Sequence, residues 1–156
     1  MAGKTPPSNT SAESEHGAAP RARAPAQWYG YIVGAALLLL GLLGFTADAT
    51  FDTEATDPTG GGFQGDGFLG LEVNGTHNLL HVITGILLLA LARGRPSARA
   101  AAIGLGAFYA VITIVGLADG DNVLRLIPVN PADNVLHAVL ALAGLGAGLS
   151  SERTST

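Results

Sequence analysis

Apolar residues fall into four blocks along this chain, and only two of the blocks are long. Trp28 to Ala47 runs twenty residues without a charge and Ala100 to Ala118 runs nineteen, each enough to cross a hydrocarbon layer of about 30 Å at about 1.5 Å per residue. Leu79 to Ala92 and Val135 to Leu149 hold only fourteen and fifteen residues, roughly 21 to 23 Å of helix, and fall short. Both short blocks open on the same polar pattern, NGTHNLLH at 74–81 and NPADNVLH at 130–137. With these openings included the segments grow to nineteen and twenty residues, which match the bilayer. The predicted spans are therefore about 28–47, 74–92, 100–118 and 130–149. The expected fold class is all-α, an integral membrane four-helix bundle running up-down-up-down.

The offset between the two polar openings is 56 residues, Asn74 to Asn130, so a span, an outer connection, the polar code and a second span occur twice. Two tandem helix-pair repeats of this kind predict a pseudo-twofold axis along the membrane normal. The ends of the first spans agree: GFTAD at 44–48 resembles GLAD at 116–119. Residues 1–27 are rich in Pro, Ala, Ser and Gly without a hydrophobic period, the composition of a disordered tail, and 150–156 form a short polar tail. The connection from Asp48 to Val73 carries GGGFQGDGFLG, whose glycines suit turns that fold over the mouth of the bundle.

Charge sets the orientation. Lys4, Arg21, Arg23, Arg93, Arg95, Arg99 and Arg153 occupy the two tails and the 93–99 connection, and only Arg125 lies elsewhere. By the positive-inside rule these segments face the cytoplasm, so both termini of a multi-pass protein of the cytoplasmic (inner) membrane are inside. Nine of the twelve acids, Asp48, Asp52, Glu54, Asp57, Asp66, Glu72, Asp119, Asp121 and Asp133, lie in or beside the two outer connections. The partner this implies is the lipid bilayer. Nucleic acid is not expected, and a second copy or another membrane protein is left open. The chain has 48% hydrophobic and 13% charged residues and no cysteine, which excludes disulfides and thiolate metal sites.

The polar code carries the candidate chemistry. Asn74 and Asn130 read as helix caps, the latter followed by Pro131 at the first helical position and Asp133 near the positive end of the helix dipole. At 100° per residue His77, Asn78, His81 and Thr84 fall on one stripe of the second span; Asp133, Asn134 and His137 form the matching stripe of the fourth. Lipid offers no hydrogen bonds, so the two stripes are expected to face the bundle interior and each other, with His81 and His137 about 10 Å below their caps. Three readings follow. In the first, His81 and His137 bond to Asn134 and Asn78 as an interhelical polar clamp, or the cluster forms a small-ligand pocket near the outer face. In the second, His77, His81, Asp133 and His137 hold a divalent metal, or His81 and His137 act as two axial haem ligands of a membrane redox protein. In the third, the acidic outer face feeds a proton or small-solute pathway.

No phosphate-binding glycine loop, G-x-S-x-G or Cys/His pair occurs, so the expectation is a non-enzymatic protein. The segments NGTHNLLHVITGILLLALA and AFYAVITIVGLADGDNVLRLIPVNPADNVLHAVLALAG resemble those of a four-span membrane protein family common in actinobacteria and known only as a domain of unknown function. The resemblance spans about residues 28–149 and rests on the paired N-x-x-[HD]-N-x-x-H pattern. It implies an inner-membrane protein without an established activity, and leaves the cofactor unassigned.

Overall fold

A computed structural model describes residues 22–51 and 66–151. The tail at 1–21, most of the glycine-rich connection (52–65) and the last five residues lie outside the described residues. Four helices dominate: α1 (Pro25–Gly44), α2 (Gly75–Leu91), α3 (Arg95–Asp119) and α4 (Pro131–Ser150). Three of them, α1, α3 and α4, are long and apolar enough to cross a membrane, which marks a membrane protein; α2, with 17 residues, is shorter.

Two boundaries differ from the sequence expectation for physical reasons. α1 starts at Pro25 rather than Trp28 because proline suits a first turn and Gln27 ties that turn down. The Gln27 side chain accepts from the Ala24 N–H at 3.0 Å and donates to the Ala92 carbonyl at 3.0 Å. α3 starts at Arg95, five residues before the uncharged block, again on a proline in the first turn. The described residues are mostly helical, with two small β elements that the helical reading did not include. Two antiparallel hairpins stand before α2 and α4: β1 (Asp66–Phe68) with β2 (Leu71–Val73), and β3 (Asn122–Val123) with β4 (Ile127–Pro128). Strands of two or three residues are too short to show an alternating pattern. Their turns use left-handed backbone at Leu69 and Gly70 in the first hairpin, and at Leu124 and Arg125 in the second.

Packing is inverted relative to a water-soluble protein. Leu142, Leu149, Ile114 and Val135 are about two-thirds exposed or more, while Asn78 and Asp133 are buried to within 1%. Apolar groups outside and polar groups inside are what a lipid solvent selects, because lipid cannot satisfy a polar side chain. Without a hydrophobic drive between them, the helices associate through small residues. α1 packs on α2 and α3 on α4. A Cβ placed on Gly85 would come 2.6 Å from the Leu38 amide nitrogen and 2.8 Å from the Gly34 carbonyl, so only glycine lets the two backbones meet there. Gly30 faces Ala92 while Gly41 faces Asn78, hence α1 and α2 run antiparallel; Gly106 facing Leu145 and Gly116 facing Asn134 give the same sense to α3 and α4. The pairs are joined by the Tyr29 hydroxyl, which donates to the Leu140 carbonyl at 3.1 Å, and by Ser151, whose Oγ accepts from the Ala26 N–H at 3.0 Å.

Candidate functional site: a buried three-histidine cluster

The site is assembled by the two helix caps and the two hairpins. Asn74 caps α2, its Oδ1 accepting from the His77 N–H at 2.8 Å. Asn130 caps α4, accepting from the N–H groups of Ala132 and Asp133 at 2.8 and 3.0 Å. Each cap then reaches across the molecule: Asn74 Nδ2 donates to the Leu126 carbonyl at 3.1 Å, and Asn130 Nδ2 donates to the Gly70 carbonyl at 3.0 Å. Leu126 and Gly70 stand 56 residues apart, as do Asn74 and Asn130. The two cross-ties are thus equivalent under one offset, and each locks a helix start onto the other half's hairpin. The second asparagines keep the same offset. A Cβ on Gly44 would collide with Asn78 Oδ1, and one on Gly116 with Asn134 Oδ1. Each amide is therefore seated against a glycine of the preceding long helix.

The third position of the code is where the halves part. Asp133 Oδ2 accepts from the N–H groups of Glu72 and Asn130, both at 2.9 Å, tying β2 to the start of α4. His77 instead engages the Glu72 carbonyl through Nδ1 at 2.9 Å. A carbonyl can only accept, so Nδ1 carries the proton and Nε2 keeps its lone pair. The Pro128 carbonyl also approaches this ring, and Nε2 is buried without a partner.

His77, His81 and His137 meet. Their rings lie 4.5 Å apart for His77 and His81 and 5.8 Å for His77 and His137, centroid to centroid. One nitrogen from each falls within 4.8 Å of the others, and all three residues are buried. Both ring nitrogens of His81 and Nδ1 of His137 also lack partners. Tyr109 stacks on His137 at 5.3 Å and 26°. A void of about 20 Å³ lies against the three rings, walled by Leu80, Thr84, Phe108, Tyr109, Ile112 and Ile127.

This arrangement corrects three expectations. No hydrogen bond joins His81 or His137 to Asn134 or Asn78; Asn78 Nδ2 donates to the Asp48 carbonyl at 2.8 Å, and Asn134 Oδ1 has no partner. The imidazoles turn toward one another and leave the amides on the glycines. Asp133 stands outside the histidine cluster: its Oδ2 accepts from the Glu72 and Asn130 N–H groups, and its Oδ1, though buried without a partner, is not gathered with the three rings. Haem does not fit either: a void of about 20 Å³ holds about one water-sized occupant, and a macrocycle between His81 and His137 would have to displace His77. Glu72 is the residue that sequence reasoning missed. Its main chain bridges Asp133 and His77, a role that carries no side-chain signature.

The Glu72 carboxyl is raised above the usual carboxylate range, chiefly by burial and then by the Asp133 and Asp121 carboxylates. A raised folded-state value means that folding favours the protonated form, so the associated stability is full at acid pH and is lost as pH rises through the folded-state value. Glu72→Gln should therefore stabilise the protein at neutral pH and leave it nearly unchanged at pH about 4. Thermal unfolding in detergent at the two pH values checks this.

What the cluster can do follows from its donors. Three neutral imidazoles with free lone pairs, one oriented by a backbone carbonyl, form a nitrogen set suited to late first-row divalent metals. No curated protein and no solved structure matches the chain. Residues 27–150 match the family described as Domain of unknown function (DUF4383), and this chain, with its paired caps, crossed hairpins and three-histidine centre, belongs to that family.

Proposed function

We propose that this protein is a four-span, up-down-up-down membrane protein of two tandem helix-pair repeats, and that His77, His81 and His137 bind one late first-row divalent ion, such as Zn²⁺ or Cu²⁺, in the outer third of the bilayer. The observation that carries the metal reading is that one ring nitrogen from each of three buried histidines lies within 4.8 Å of the others, in rings that each keep at least one nitrogen without a partner. Leaving such a group unpaired costs about 1–3 kcal/mol, and a metal ion removes that cost for three side chains at once. Tetrahedral ligation at about 2.0–2.1 Å needs donor nitrogens about 3.4 Å apart. Rotating the side chains about their own bonds supplies the remaining ångström or so. The ion would also act as the clamp. α2 and α4 pack on α1 and α3 rather than on one another, so His77 and His81 joined to His137 through the ion would link the two repeats directly.

The four-span reading draws support from the 56-residue equivalence of the caps, hairpins and asparagine–glycine seats. The distribution of arginines supports an orientation with both termini in the cytoplasm and the histidine centre toward the outer face of the cytoplasmic membrane. The 17 residues of α2 reach roughly 26 Å, the lower end of what crosses a bilayer.

Two measurements test this. Protein purified in detergent and loaded with Co²⁺ should hold one ion per chain, with a visible spectrum of nitrogen ligation that disappears in His77→Ala and in His137→Ala; absence of stoichiometric metal overturns the reading. The chain has no native cysteine, so single cysteines at Leu126 and Pro96 report topology. They should label from opposite sides of sealed membranes, and labelling from one side contradicts four spans.

A further inference from the structure

We propose that the metal ion held by the three histidines has an open fourth position that takes one small exogenous ligand, a water molecule at rest, replaceable by a small monoanion. This rests on the metal reading above and adds to it: the centre is a ligand-exchange site and more than a structural staple.

Two observations carry it. The cluster gathers three donors and no fourth: among the described residues no Asp or Glu carboxylate lies with the three histidine nitrogens, and Asp133 is held away by its Oδ2 on the Glu72 and Asn130 N–H groups. Structural zinc sites close with four protein ligands, while sites that exchange ligands keep three and leave one position to water. The second is the void. It is about 20 Å³ and lies directly against the three imidazoles, and about 10–15 Å³ suffices for one water. Its far wall is Leu80, Phe108 and Ile112, which cannot ligate. Thr84 already donates its hydroxyl proton to the Leu80 carbonyl at 2.6 Å, so toward the void it can only accept. Tyr109 also lines the void. A dication held by three neutral ligands in a low-dielectric interior keeps its full charge, and a monoanion in the fourth position halves it. The size of the void limits that anion to about the bulk of one water molecule, as in hydroxide or fluoride.

The test uses the full-length protein loaded with one equivalent of Cu²⁺. Pulsed electron paramagnetic resonance in D₂O should show three imidazole nitrogens together with the coupling of a directly bound, exchangeable water. Fluoride should abolish the deuterium coupling and bring up a fluorine coupling to the copper, while azide and imidazole, both too large for the void, should do neither. Ile112→Phe should keep its copper and lose its fluoride response. Three-nitrogen copper with no exchangeable deuterium coupling and no response to fluoride overturns the open position while leaving the metal site standing. No copper at all overturns both, and metal analysis read before the spectra separates the two failures. Should Ile112→Phe fail to fold, the wild-type deuterium and fluoride results decide the matter alone.

Discussion

His81→Leu is expected to make the metal-free protein more stable and to make it indifferent to metal. Both ring nitrogens of His81 are buried without partners. Each such group costs about 1–3 kcal/mol, and leucine fills similar space with no polar atom to satisfy. Without metal, the midpoint of thermal unfolding in detergent should therefore rise. With metal the order reverses. The wild-type protein gains about 4 kcal/mol at a ligand concentration a thousand times the dissociation constant, and the variant gains nothing. A polar clamp makes the opposite forecast for the metal-free state, since removing one partner of a buried hydrogen bond destabilises. A His81→Leu protein that unfolds earlier than wild type in the presence of a strong chelator would contradict the account.

Asp133→Ala is expected to have the second large effect, and to act at a distance from its own side chain. Its carboxylate accepts from the N–H groups of Glu72 and Asn130, and hydrogen bonds to a charged group contribute about 1.5–3 kcal/mol each. Their loss removes the reciprocal half of the α4 cap and the tie from β2 to α4. The Glu72 carbonyl that holds His77 Nδ1 is then no longer fixed. Loss of an outer partner of a ligating histidine lowers metal affinity by about 10–100-fold. Asp133→Asn keeps one accepting oxygen and should fall between. Competition of each variant against a chromophoric chelator measures the affinity, and an Asp133→Ala protein with wild-type affinity would remove Glu72 from its positioning role.

Much of the fold was legible because a bilayer constrains sequence more tightly than water does. Uncharged runs of about twenty residues state two of the helices outright, and the polar openings at Asn74 and Asn130 mark where α2 and α4 begin, α4 reaching spanning length and α2 remaining shorter. The 56-residue offset between Asn74 and Asn130 recurs in the hairpins and in the crossed ties from Asn74 to Leu126 and Asn130 to Gly70. The hairpins themselves were invisible because their turns are built on Leu69, Leu124 and Arg125 as well as Gly70, and leucine and arginine give no turn signal.

The site was legible by face and not by partner. Helical phase places His77 and His81 on one stripe and Asp133 and His137 on another, but phase cannot say which groups of a stripe are consumed locally. Asp133 sits three residues after its cap, where backbone N–H groups compete for it. His77 occupies the equivalent place and, lacking an acceptor to offer its own cap, reaches the Glu72 carbonyl instead. The difference between histidine and aspartate at this one position leaves His77 beside the other two imidazoles and ties Asp133 to backbone N–H groups. Side-chain amides facing glycines, as Asn78 faces Gly44 and Asn134 faces Gly116, likewise need the helix pairing in hand before they can be assigned.

X-ray absorption at the metal edge of the zinc-loaded protein tests the central claim most directly. Ligation by His77, His81 and His137 predicts three nitrogen scatterers at about 2.0–2.1 Å with the outer-shell pattern of imidazole, reduced to two in His137→Ala. A zinc shell made only of oxygens, or an imidazole count that His137→Ala leaves unchanged, would contradict it.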